Sequence, residues 1–187
     1  NIIIANLVPP GSASYNRIGR KVQMKSLRIK GTLVFSSVPQ AATFNALGNY
    51  VRYGVVYDRQ PNGALPNYSD IFGITDQTGT ESATILNPIR YDNMERFKVL
   101  LDKIVERDPV INTIGGTGNL ETQLAVFDDY IKLNNLETTY QGQASPATIG
   151  DISTGGLYVY FRAYNNSAPA TVGVDANSFG RLRFMDS

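Results

Sequence analysis

Residues 50–58, YVRYGVVYD, put Val51, Tyr53, Val55 and Tyr57 on one parity and Arg52, Gly54 and Asp58 on the other. A period of two belongs to an extended strand whose successive side chains face opposite environments, and it predicts a half-buried strand here. The pattern returns in GLYVYFRAY at 156–164, where Leu157, Val159, Phe161 and Ala163 oppose Tyr158, Tyr160, Arg162 and Tyr164. Near the end of the chain Leu182 and Phe184 oppose Arg181, Arg183 and Met185. Several alternating runs separated by turn-forming residues predict an all-β sandwich or barrel.

Two segments depart from simple alternation. Val22 and Met24 share one parity whereas Leu27 and Ile29 share the other, so a bulge or bend near Lys25 and Ser26 is needed to keep all four on the core side. In ERFKVLLDKIVERD, Phe97, Leu100, Leu101, Ile104 and Val105 recur at helical spacing, and periodicity alone favours a helix. NYSDIFG suits one short helix capped by Asn67 or Ser69 and stopped at Gly73. Long loops are expected at 59–83, 108–120 and 141–156, and loops of that length commonly carry function.

With 187 residues, 42% hydrophobic and 18% charged, the chain is expected to fold as one domain, 1–187, around one core. No apolar stretch reaches the roughly 20 residues that cross a bilayer, so no membrane association is expected. The opening residues lack an initiator Met and the marks of a signal peptide; 1–16 reads as an extended N-terminal segment, with more protein expected upstream. The absence of His and Cys removes Ser-His and Cys-His nucleophile pairs, disulfides and the commonest zinc ligands. Acidic residues are scattered without calcium-loop spacing, and IGGTGN at 114–119 lacks the Lys-Ser/Thr of a phosphate loop. Neither a metal nor a cofactor is expected. Net charge is only +1, yet RIGRKVQMKSLRIK at 17–30 holds six basic residues and no acid.

The segment VRYGVVYDRQPNGALPNYSDIF, followed by TESATILNPIRYDNMERFKVLLDKIV and later FDDYIKLNN, resembles the coat proteins of small circular Rep-encoding single-stranded DNA viruses, geminivirus-like and circovirus-like. The resemblance implies an eight-stranded antiparallel viral jelly-roll sandwich with sheets BIDG and CHEF and a short helix in the CD loop. Carried onto this chain, it places B at 19–35, C at 49–58, D at 84–91 and E at 95–107, against the helical periodicity there. F falls at 124–135, G at 136–141, H at 156–165 and I at 178–186.

The same resemblance, by making strands B and I neighbours, implies that Arg17, Arg20, Lys21, Lys25, Arg28 and Lys30 line the particle interior with Arg181 and Arg183 and hold the genome. The plainer reading is a strand with a basic solvent face. An arginine-rich arm of such coat proteins would precede Asn1. Tyr50, Tyr158, Tyr160 and Tyr164 are expected at subunit interfaces, with cross-strand packing as the alternative for each.

The implied function is structural, not enzymatic: self-assembly into an icosahedral shell, the smallest one, around circular single-stranded DNA, within virions and with assembly in the host nucleus. The host receptor stays unknown. A single-stranded RNA or satellite virus coat protein, a carbohydrate-binding jelly roll and a two-carboxylate glycosidase are the competing readings.

Overall fold

The computed structural model describes residues 1–35, 50–75, 81–82, 84–106, 123–164 and 174–186. Nearly all of its regular structure is β. Strands β1 (Ile2–Ile4), β2 (Lys21–Phe35), β3 (Tyr50–Asp58), β4 (Ile74–Thr75) and β5 (Glu81–Ser82) precede β6 (Phe97–Glu106), β7 (Gln123–Tyr140), β8 (Ile152–Thr154), β9 (Gly156–Tyr164) and β10 (Val174–Asp186). One short helix, α1 (Tyr68–Ile71), interrupts the series between β3 and β4.

Eight of these strands form two four-stranded antiparallel sheets, ordered β1-β9-β3-β6 and β10-β2-β7-β8, while β4 and β5 make a small ribbon. This is the sandwich that the alternating runs predict, and its order matches a jelly roll with the letters displaced. β1-β9-β3-β6 occupies the places C-H-E-F, and β10-β2-β7 occupies I-D-G. The strand expected at B is therefore at D, and that expected at C is at E. The three-residue β1, too short to show alternation, holds place C.

Further expectations are corrected. Residues 84–91 form no ladder beyond an isolated bridge between Phe72 and Ile89; the segments expected as F (124–135) and G (136–141) are one strand, β7, at place G, and the segment expected as E is β6, at place F. A register shift between Met24 and Ser26 of β2 lies opposite the left-handed pair Asn134 (φ 49°) and Asn135 (φ 62°) of β7. The extra residues switch parity in both strands, so Val22 and Met24 before the bulge and Leu27 and Ile29 after it all face the core.

The main core lies between the sheets. Val51, Tyr53, Val55 and Tyr57 of β3 and Leu157, Val159 and Phe161 of β9 meet Leu27, Ile29 and Leu33 of β2 and Phe127, Ile131 and Leu133 of β7. Tyrosine hydroxyls tie the layers: Tyr57 donates to the Glu137 carbonyl at 2.6 Å and Tyr53 to Asp129 at 2.8 Å.

β3 is not half-buried; both its faces are covered. Ile71 and Phe72 fold back over the outer face and form a second cluster with Val56, Phe97, Tyr158 and Tyr160. Gly54 lies under this layer because a Cβ there would meet the Leu101 carbonyl oxygen at 2.0 Å and the Tyr160 hydroxyl at 2.6 Å. α1 begins where expected: Asn67 is its N-cap and its amide donates to Asp70 at 2.6 Å. The helix ends at Ile71, with Phe72 rather than Gly73 as its C-cap.

Candidate nucleic-acid interface

The outer face of the β10-β2-β7-β8 sheet is left open by the same alternation that buries its inner face. On β2, Arg28 and Lys30 point outward between the buried Leu27, Ile29 and Gly31. Arg28 stands opposite Arg181 on one side and Tyr130 on the other; Lys30 stands between Phe179 and Asp128. Ser26, one step along, is flanked by Arg183 and Lys132. With Lys21 and Lys25, seven basic residues share this face with three acids, Asp128, Glu137 and Asp175.

Asp128 is the one acid among them with described ion pairs. Arg28 clamps it in bidentate fashion, Nε to Oδ1 at 2.7 Å and Nη2 to Oδ2 at 2.6 Å, and Lys30 approaches to 3.9 Å. The Arg28 hydrogen bonds hold the Asp128 carboxyl below the usual carboxylate range and raise the guanidinium in turn. Lys25 donates to Asn135 Oδ1 at 2.7 Å across the bulge. The remaining cations project from the sheet, and two aromatics stand among them: Phe179, 83% exposed, and Tyr130, 59% exposed. Such a surface offers charge for phosphates and rings for unpaired bases.

Of the basic residues singled out from sequence, Arg28, Lys30, Arg181 and Arg183 form the centre of the strip. Lys21 and Lys25 extend it along β2. Arg20 is exposed in the turn before β2, its carbonyl accepting from the Tyr140 amide. Arg17 is a correction: it is 2% exposed, with its guanidinium stacked 4.1 Å from the Tyr140 ring centroid. It donates to the carbonyls of Val8, Gly19 and Gly142 and pins the N-terminal segment to the sandwich. Lys132, Tyr130 and Phe179 were not legible from sequence as site residues, because their membership depends on which strands pair with β2.

The tyrosines divide differently from expectation. Tyr158 and Tyr160 are wholly buried under α1 and Phe72 within one chain, so they cannot face a neighbouring subunit. Tyr160 donates to Asp102 at 2.8 Å, and Asp102 is clamped by Arg52. Tyr50 is half-buried, and Glu106 beside it raises its phenol through charge and a hydrogen bond. The backbone of Tyr164 pairs with that of Tyr50, while its side chain lies outside the described residues, as do residues 107–122 with the IGGTGN loop.

Among the described residues no three acidic side chains cluster as metal ligands, and no helix is long and apolar enough to cross a membrane. Residues 2–180 match the sequence model of the geminivirus coat protein/nuclear export factor BR1 family. No curated protein matches the chain.

Proposed function

The chain belongs to the geminivirus coat protein/nuclear export factor BR1 family, and on that footing we propose that it is the subunit of a closed icosahedral shell that holds circular single-stranded DNA against the basic sheet face. A viral coat protein is a structural, self-associating component of the virion, and no catalytic role enters this reading.

The observation that carries the nucleic-acid role is the row of exposed Arg28, Lys30, Arg181 and Arg183 on one open sheet face, with Phe179 and Tyr130 interleaved. Phosphates take the place of water around the cations and release counterions, a sequence-independent gain that weakens as salt rises. Phosphate contacts fix the strand's path, and the two rings stack on whichever bases are unpaired. In this reading the strip faces the particle interior, helped by an arginine-rich arm ahead of Asn1, and assembly takes place in the host nucleus. In the same reading the shell is the smallest one, built from copies of this single sandwich.

Light scattering, the 260-to-280 nm absorbance ratio and electron microscopy on purified protein test this directly. Spheres with nuclease-protected single-stranded DNA are the expected result. Replacing Arg28, Lys30, Arg181 and Arg183 together by Ser should leave the fold intact and make the salt dependence of single-strand binding shallower by about 3 in log–log slope, at roughly 0.7 per phosphate contact. An unchanged slope removes the strip from the genome-binding role. Because the family description joins coat proteins with nuclear export factors, a protein that binds single strands yet never forms particles would favour the export role.

A further inference from the structure

Asp128 is an acid at the centre of a surface otherwise suited to phosphate. Directly opposite it across the β2–β7 ladder stands Lys30, and beyond Lys30 the exposed ring of Phe179; two residues along β7 stands the exposed ring of Tyr130. Tyr130 is the cross-strand partner of Arg28, yet the Arg28 guanidinium reaches diagonally past it to the Asp128 carboxylate, with both Nε and Nη2 engaged. A guanidinium grips a phosphate with the same two prongs, so the carboxylate fills the seat on Arg28 that a backbone phosphate would take. Lys30 lies 3.9 Å from the oxygen that receives Nη2. Among the described residues neither Arg181 nor Arg183 has such an acidic partner. The pair does little for the fold. Arg96–Asp58 and Lys103–Asp129 each bury their carboxylate and Arg52–Asp102 buries its guanidinium, whereas the side chains of Arg28 and Asp128 are 58% and 35% exposed. Exposed pairs contribute little to stability, and β2 and β7 are already joined along the whole of Lys21–Phe35.

We propose that Asp128 holds the phosphate seat of Arg28 in the free protein and is displaced from it when single-stranded DNA binds. The inference rests on the nucleic-acid reading of this face and adds a threshold to it. Opening the pair gives up two charge-assisted hydrogen bonds and leaves a bare carboxylate beside the incoming phosphates, so an isolated phosphate gains little at Arg28. A continuous strand makes contacts at Lys30, Arg181 and Arg183 at the same time and stacks on Phe179 and Tyr130, and these together offset the cost. Asp128 is in this way a selectivity residue: it favours a long single strand over scattered small anions without itself contacting the strand. Because the competing charges are exposed, the threshold fades as salt rises.

Fluorescence anisotropy of a labelled oligothymidylate with the nuclease-treated chain, at several salt concentrations, tests the displacement. Asp128→Asn, close in shape and at an exposed position, should tighten binding about three- to fivefold at low salt, in line with the strength of an exposed ion pair, and the gain should shrink at high salt. Glu137→Gln removes an exposed acid from the same face but none from Arg28, and should change the affinity by less than about twofold. Losing any nearby negative charge tightens DNA binding somewhat, so the telling comparison is Arg28→Ser in both backgrounds. Its loss should be at least about threefold larger in Asp128→Asn than in the starting protein, because the fork is free beforehand only there. Equal losses in the two backgrounds, or a gain from Asp128→Asn no larger than that from Glu137→Gln, overturn the proposal and leave the phosphate role of the strip standing. If the joint Ser replacement of Arg28, Lys30, Arg181 and Arg183 binds as tightly as the starting protein, the nucleic-acid reading itself fails and this inference falls with it.

Discussion

Arg17 shows how much one side chain's role depends on its surroundings. In sequence it opens a basic run; in the fold it is a buried fork that satisfies three backbone carbonyls, at 3.1 Å to Val8, 2.8 Å to Gly19 and 2.6 Å to Gly142. Burial pushes the Tyr140 hydroxyl beneath it up to about 12, and that hydroxyl donates to Asn6. Arg17→Met keeps the volume and leaves the carbonyls unpaired, which should cost about 2–4 kcal/mol in urea unfolding. A loss below about 0.5 kcal/mol would show that water replaces the fork freely. Asp102 makes the parallel case for acid stability. Burial favours its neutral form, but hydrogen bonds from Arg52 and Tyr160 outweigh that and hold it below its ordinary value. Its contribution is therefore present above the unfolded carboxylate value of about 3.9 and is lost as pH falls through the lower folded value. Asp102→Asn should be less stable at neutral pH and show a flatter decline on the acid side; equal acid slopes for both proteins would rule this linkage out.

At the scale of elements, bulges explain where periodicity misleads. In β6, Val55 pairs with Leu101 and Val56 with Val99, so Leu100 is an extra residue. Before it, Phe97 and Val99 pack on the outer cluster; after it, Leu101 and Val105 pack on the main core. A strand that changes faces in mid-course spaces its apolar residues much as a helix does, and the helical reading fails over 97–106 for that reason. The same device in β2 was legible in advance, from the parity slip between Met24 and Leu27; its counterpart in β7 was not. It rests on two left-handed asparagines, a conformation that Asn and Gly tolerate and β-branched residues resist. Asn135→Gly should therefore leave stability within about 0.5 kcal/mol, while Asn135→Val should cost about 1–3 kcal/mol on denaturant unfolding. Equal losses would mean that the Lys25 hydrogen bond to Asn135, not the backbone, carries the position.

At the scale of the molecule, the loop after β3 divides into a lid and a tip. Ile71 and Phe72 close the second cluster, whereas Asn62 to Leu65 are exposed and Gly63, at φ +73°, has nothing within 4 Å of where a Cβ would stand. A short tag between Asn62 and Gly63 should shift stability by less than about 1 kcal/mol, while one between Asp70 and Ile71 should uncover Tyr158 and Tyr160 and prevent folding. Equal tolerance at both places would show that the lid does not seal the sheet.

The sequence by itself determined the all-β class, the strand over 50–58, the bulge near Lys25, the short helix after Asn67 and a basic face on the second strand. Each of these is a local matter of parity, capping or turn chemistry, written within a dozen neighbouring residues. Only the tertiary structure decided which strands lie side by side. That choice buried Arg17, Tyr158 and Tyr160 and brought Lys132, Tyr130 and Phe179 beside Arg28 and Lys30. The reason is physical: alternation tells a side chain which face of its strand it takes, while long-range pairing settles whether that face meets solvent, a second layer or another chain.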